Sequence, residues 1–277
     1  MELLTDKEKI VLENLRVILE FGASLFPKLN VPISAETLTP KKDYALFNFG
    51  AIHNYSESIY VLCKDSRPHS AHVLLRSIFE AYVNTLYFLN TNSNLKLIKA
   101  VVEDLTDNRI KVLNGFAKLI KKYPEWENRS SLTNYATLND LLNHTQKTID
   151  FVKNNNRFHS TTKIGKNFRD RVEALDKKIT TKIRGNWEFN YLLVYKYFST
   201  YTHLLMSGLE NFVTKKDKQI SFDIGQSKDV EPIVVTTYAF YYNLLIYLKS
   251  RSVIPKSTKL GIFSKKMSEM NKEANII

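Results

Sequence analysis

The sequence predicts an all-α protein, a single bundle of about seven or eight helices. Three observations carry this. Only eight glycines and seven prolines interrupt 277 residues, so few positions force a turn. Hydrophobic residues make up 44% and charged residues 25%, the balance of a folded globular chain rather than a disordered one. Apolar residues recur every three or four positions through most of the chain, which is the period of a helix with one face in a core.

Each element follows in order. Thr5 and Glu8 in "TDKE" form a capping box. Val11, Leu15, Ile18 and Leu19 then follow at helical spacing, so a first helix is predicted to near Phe26. The segment 27–42 holds three prolines and reads as a loop. A second helix runs from near Asp43 to Cys63 and is broken by "KDSRPHS". Pro68 suits the first turn of a third helix, where a missing N–H costs nothing. That helix ends near "NTNSN", and Ser93 caps a fourth from 94 to near 122, stopped by "YPEW". "TLND" at 137–140 is a second capping box and opens a fifth helix to near Val152. A sixth helix is expected near 167–180 and a seventh near 187–213. "TKKDKQISFDIGQSKD" is polar and has room for a short strand pair. Pro232 starts an eighth helix that ends before Pro255. The expected organisation is one helical domain over 1–253, then a basic C-terminal tail over 254–277, either a short helix or disordered.

The formal net charge is +12, which favours anionic partners such as nucleic acid, although lysines also simply decorate solvated helix faces. The one cysteine, Cys63 in "IYVLCK", excludes a disulfide framework or a Cys-based zinc site within the monomer. It reads as a small buried hydrophobe in a reducing compartment. The N-terminus lacks a signal-peptide pattern. The longest apolar stretch, 232–248, is rich in Tyr and bounded by Glu231 and Lys249, so it reads as a buried helix rather than a membrane span. A cytoplasmic protein without a membrane partner is expected. The sequence has no P-loop, Gly-rich dinucleotide turn, Gly-x-Ser-x-Gly elbow or Glu-x-x-His pair, so neither cofactor nor metal is expected.

Two polar rows on apolar helices single out candidate functional residues. On the third helix His72, Arg76, Glu80 and Asn84 are each four residues apart, while Leu74, Leu75, Ile78, Phe79, Tyr82, Leu86 and Phe88 point in nearly all directions. A charged pair on a central helix needs partners, and Arg76 can reach Glu80 at this spacing. On the seventh helix Tyr195, Ser199 and His203 form a second row at the border of the core face. On the second, His53 and Glu57 are four apart. If these helices pack together, one cluster collects Glu57, Arg76, Glu80, Tyr195, Ser199 and His203. The competing reading is structural: an Arg–Glu pair that fixes packing register, and an inward His that is a satisfied core donor.

The stretch "LLRSIFEAYVNTLYFL" followed far downstream by "YKYFSTYTH" resembles a bacterial all-helical family labelled a domain of unknown function. That family is marked by an Arg-Ser-x-x-Glu-Ala helix and a later Tyr-x-x-x-Ser-x-x-x-His helix. Arg76, Ser77, Glu80 and Ala81, and Tyr195, Ser199 and His203, match it. The resemblance covers roughly residues 40 to 250 and implies a helical bundle with no established reaction. A more distant similarity is to the HEPN superfamily, helical bundles common in toxin–antitoxin and antiphage defence systems. Its nucleases carry an Arg-x(4–6)-His motif and act as dimers. Arg67 and His72 have that spacing here, but Pro68 departs from the polar residue that usually follows the Arg.

The resulting expectation is a metal-independent ribonuclease or related nucleic-acid-acting toxin or defence protein. His203 would be general acid/base, Arg76 would hold phosphate, and Glu80 would orient either. Tyr195 and Ser199 would position substrate, with Glu57, His72 and Asn84 in the same cluster. The expected partners are RNA and a phage or antitoxin-like protein, with a homodimer by analogy. The alternative is a non-enzymatic binding or sensor module in which the same cluster is structural or holds a small ligand.

Overall fold

The computed structural model describes residues 4–29, 40–91, 94–124, 138–155, 167–179, 186–197, 213–216, 219–222, 230–257 and 259–273. The described residues are helical apart from turns and one short strand pair. The elements are α1 (Asp6–Ala23), a 3-10 turn (Phe26–Lys28), α2 (Pro40–Lys64), α3 (Pro68–Leu89) and α4 (Asn94–Glu103). A π-helical segment (Asp104–Ile110) joins α4 to α5 (Lys111–Lys122), and α6 (Leu138–Asn155) and α7 (Phe168–Lys178) follow. The short α8 (Asn186–Asn190) continues into a second π-helical segment (Tyr191–Tyr197). After it come β1 (Val213–Lys216), β2 (Gln219–Phe222), α9 (Val230–Ser250) and α10 (Leu260–Glu273). The strands pair antiparallel, with Val213 opposite Phe222 and Lys216 opposite Gln219. Among the described residues no helix is long and apolar enough to cross a membrane.

The chain divides into two compact units, Met1–Leu89 with Asn167–Ile277, and Asn90–Lys166. The expected single domain over 1–253 contained no such division, because composition does not change at either boundary. In the second unit α6 packs on α4, α5 and the π segment between them. Leu97, Ile98, Val102, Leu113, Leu141 and Ile149 are its buried apolar residues among those described. The expected fourth helix is thus one continuous helical run with a π interruption.

In the first unit α2 and α3 form the most extensive pair, and α9 packs on α1, α2 and α3. The α2–α3 link is tight for a local reason. Ser66 takes a left-handed conformation (φ 56°), its N–H bonds the Cys63 carbonyl at 3.0 Å, and the Arg67 N–H bonds the Leu62 carbonyl at 2.8 Å. This is a Schellman cap, which closes the helix so that the chain can reverse at once. Pro68 begins α3 as its position predicts. The Thr5–Glu8 capping box is formed, and Asn167 with Asp170 makes a second one on α7. The cap expected at Thr137 falls outside the described residues.

The core is built from Leu15 and Ile18 of α1, Phe49, Ile52 and Ile59 of α2, Leu75, Ile78 and Phe79 of α3, and Tyr238, Tyr241, Leu244 and Leu245 of α9. Cys63 is sealed in it, and burial pushes its thiol up to about 12, so it packs as a hydrophobe. The expected tail holds a helix: α10 packs on α9, Phe263 is buried, and its carbonyl accepts from the Tyr238 hydroxyl at 3.0 Å.

Gly22 sets how closely α1 approaches α9. A Cβ at this position would overlap the Tyr241 hydroxyl and sit 2.8 Å from its ring carbon Cζ. That ring is fully buried and has no room to retreat. Gly22→Ala is expected to cost roughly 1–3 kcal/mol of stability in urea denaturation, the usual cost of overpacking, against a gain of a few tenths at an open helical glycine. Gly115 is such an open position, with nothing within 4 Å of an added Cβ, and Gly115→Ala serves as the control.

Candidate functional site

Twelve of the 22 residues of α3 are buried, so its polar row must be accommodated inside or at the edge of the packing. The structure sends the members of that row to different partners. Arg76 is half-buried, and its guanidinium carbon lies 4.7 Å from the centroid of the Tyr195 ring. A cation held this way on an aromatic face is worth about 0.5–2 kcal/mol, more as water is excluded. Among the described residues Arg76 forms no ion pair, with Glu80 or with any other carboxylate, and its buried Nε has no hydrogen-bond partner.

Tyr195 is positioned by the aromatic packing around it. The π-helical segment stacks Tyr191 on Tyr195 at 5.4 Å with their planes 16° apart. Phe168, the first residue of α7, lies 4.3 Å from Tyr195 and 6.1 Å from Tyr191. Phe168 in turn meets Phe79 of α3 edge-on at 5.7 Å. The contacts form a ring, from Arg76 to Tyr195, to Phe168, to Phe79, and back along α3 to Arg76. Val194 is fully buried and anchors the segment. Trp187 continues the same row and stacks on Tyr82 of α3 at 5.8 Å; its buried Nε1 also has no hydrogen-bond partner among the described residues. Among the described residues two N–H donors, Arg76 Nε and Trp187 Nε1, are therefore unpaired where α3 meets α8 and its π extension. A buried donor without a partner costs about 1–3 kcal/mol, so such groups concentrate where a ligand or water completes them.

The other expected members lie elsewhere. Asn84 Oδ1 accepts a 2.7 Å bond from Arg171 of α7, and Arg171 also lies over the Phe88 ring at 5.5 Å. His72 is 3% exposed, with its ring 6.3 Å from that of His69. Arg67 is exposed while His72 is buried, so this pair does not face one open surface. Glu80 is half-buried beside Arg76 on α3. Ser199 and His203 lie outside the described residues.

Glu57 belongs to a different cluster. Its Oε1 is 3.4 Å from His53 Nε2, and His53 Nδ1 is 2.7 Å from the Tyr241 hydroxyl. A carboxylate can only accept, so Nε2 carries the imidazole proton and Nδ1 accepts from Tyr241. The line runs from an exposed carboxylate to a buried phenol and joins α2 to α9. Burial holds His53 below its ordinary 6.5, opposed by Glu57, and burial with Glu57 holds the Tyr241 phenol well above its ordinary 10. Phe26 and Phe49 flank the imidazole at 5.0 and 6.5 Å.

The sequence reading missed Arg171, Phe168 and Tyr241, which reach their partners only through the fold. It also began the row of the seventh helix two steps too late. Trp187, Tyr191 and Tyr195 share one spacing of four, a signal that was present in the sequence.

The comparisons with known proteins give one family. The model of a family of unknown function, DUF5677, matches residues 42–220. No curated protein matches, and no solved structure matches.

The His53 line makes stability depend on pH with a definite sign. The folded state holds this imidazole neutral below its ordinary value, so the unfolded chain binds the extra proton first. Its contribution is complete above 6.5 and is lost as pH falls through the lower folded value. His53→Gln keeps groups that can meet Tyr241 and Glu57 but cannot titrate. The stability gap between wild type and this variant is expected to narrow between about pH 8 and about pH 5 in urea denaturation. A gap that does not change with pH would contradict a neutral, buried His53.

Proposed function

We propose that this chain, which belongs to the family of unknown function DUF5677, acts on RNA as a metal-independent, HEPN-like helical ribonuclease. Arg76 holds a backbone phosphate and stabilises charge developing on it. His203 acts as general acid and base, Glu80 orients Arg76 or His203, and Tyr195 and Ser199 position the substrate. The single observation that carries this reading is the state of Arg76. It is a half-buried guanidinium held on the Tyr195 ring, with its Nε donor unpaired and no carboxylate neutralising it among the described residues. A phosphate oxygen supplies what that group lacks, and guanidinium forks match phosphate in both charge and geometry. The formal net charge of +12 supports a polyanionic substrate. A role in toxin–antitoxin or antiphage systems, and a homodimeric state, extend this reading by analogy with HEPN proteins.

A second reading, a non-enzymatic binding or sensor module in which the same polar row is structural or holds a small ligand, is favoured by Asn84. Its bond to Arg171 employs part of the polar row in joining α3 to α7.

The test is cleavage of a labelled single-stranded RNA, with chelator present, by wild type and by variants shown to be folded by circular dichroism. Arg76→Ala and His203→Ala are each expected to lose roughly 10²-fold or more in rate. Arg76→Lys keeps the charge, loses the fork and falls between. Cleavage that survives both alanine variants overturns the assignment. A wild type that binds RNA without cleaving it selects the binding module.

A further inference from the structure

A second site lies away from Arg76, where the 3-10 turn after α1, the first half of α2 and the turn after α9 meet. A cavity of about 420 Å³ opens there, lined by Lys28, Leu29, Leu46 and the run Ser252 to Lys256. This volume is within the range of small-ligand pockets. Its apolar lining residues are Leu29, Leu46, Val253, Ile254 and Pro255. The polar residues that line it are Lys28, Lys256 and Ser252, and among the described residues no carboxylate and no aromatic side chain lines it.

The walls are held by their own bonds. The Lys28 and Leu29 N–H groups close the 3-10 turn on Leu25 and Phe26 at 2.9 and 3.0 Å, and Phe26 stacks on Phe49 of α2 at 5.0 Å. After α9, Ser252 is left-handed (φ 53°) and its N–H bonds the Lys249 carbonyl at 3.0 Å, while the Val253 N–H bonds the Leu248 carbonyl at 2.9 Å. Lys249 Nζ reaches the Ser257 carbonyl at 3.3 Å and fixes the far end of the turn. These bonds satisfy carbonyls at the C-terminus of α9 that would otherwise repel an anion. Positive charge also gathers around this end of the unit. Lys41, at the start of α2, is held below its ordinary 10.5, first by burial and then by the neighbouring Arg251.

We propose that this cavity binds a small amphiphile with an apolar body and a single anionic head, a phosphate or a carboxylate. The body lies on Leu29, Leu46, Val253, Ile254 and Pro255. The head lies between Lys28 and Lys256 with the Ser252 hydroxyl beside it. With no ring among the described lining residues to stack on a base, the cavity fits an acyl or alkyl ligand better than a nucleotide. Lys28 and Lys256, with no carboxylate beside them among the described lining residues, select against a neutral or cationic head.

Isothermal titration of the full chain tests this with four probes below their micelle concentrations: octyl phosphate, octanoate, octanol and inorganic phosphate. Octyl phosphate or octanoate is expected to bind with a stoichiometry of about one, and the tighter of the two identifies the head. Octanol and inorganic phosphate, each lacking one half of the ligand, are expected to bind at least roughly tenfold more weakly. Lys28→Glu with Lys256→Glu changes two exposed side chains, so the fold is retained, and binding of the anionic probes should fall by roughly tenfold or more. The proposal is overturned if neither anionic amphiphile binds, if octanol binds as tightly as they do, or if the double variant binds unchanged.

Discussion

The burial of α3 on nearly every side is the constraint on which the rest of the first unit depends. α2 covers it on one side, α9 on another, and α7 and the π segment after α8 close much of what remains. A helix packed in this way has no wet face on which charges can be placed freely, so each polar residue on it must meet a specific neighbour. That requirement organises the aromatic ring through Tyr195, Phe168 and Phe79, and it places Arg171 against Asn84.

Arg76 shows which interaction wins under that constraint. Its spacing to Glu80 permits an ion pair, but Arg ahead of Glu is the weaker order on a helix, and such a pair is worth only about 0.2–0.5 kcal/mol. An aromatic face in a partly dry setting offers about 0.5–2 kcal/mol. The ring draws the guanidinium onto Tyr195 and, among the described residues, leaves it oriented with no carboxylate partner. The contrast with the line from Glu57 to Tyr241 is instructive. There the buried imidazole has a neighbour at both nitrogens, and the arrangement serves to join α2 to α9. Satisfied polar groups of this kind hold the helices of the first unit to one another.

Much of the fold was legible in the sequence because the features that specify it are local. The capping box at Thr5, the proline at the start of α3 and the continuous apolar run of α9 each act within a few residues. The candidate site was legible as a spacing and not as a set of partners. Four-residue steps placed Arg76, Glu80 and Asn84 in one row, but which neighbour each meets depends on residues about a hundred positions away. Arg171 and Asn84 are 87 residues apart, and His53 and Tyr241 are 188 apart. Packing of α2 on α3 alone would group Glu57 with Arg76, but Glu57 instead meets His53, its neighbour one turn back on α2. The π segments were not legible either, since a π turn and an α turn tolerate the same residues and differ in how the helix is packed.

The most direct measurement of the central claim, that Arg76 is an oriented cation awaiting an anion, is the side-chain Nε–Hε resonance of Arg76 in a ¹⁵N-labelled sample, assigned with Arg76→Lys and titrated with a short RNA oligonucleotide. This account predicts a signal displaced upfield by the Tyr195 ring in the free protein that moves downfield and becomes protected from exchange as RNA is added. A signal that shows no ring displacement and does not move at saturating RNA would contradict it.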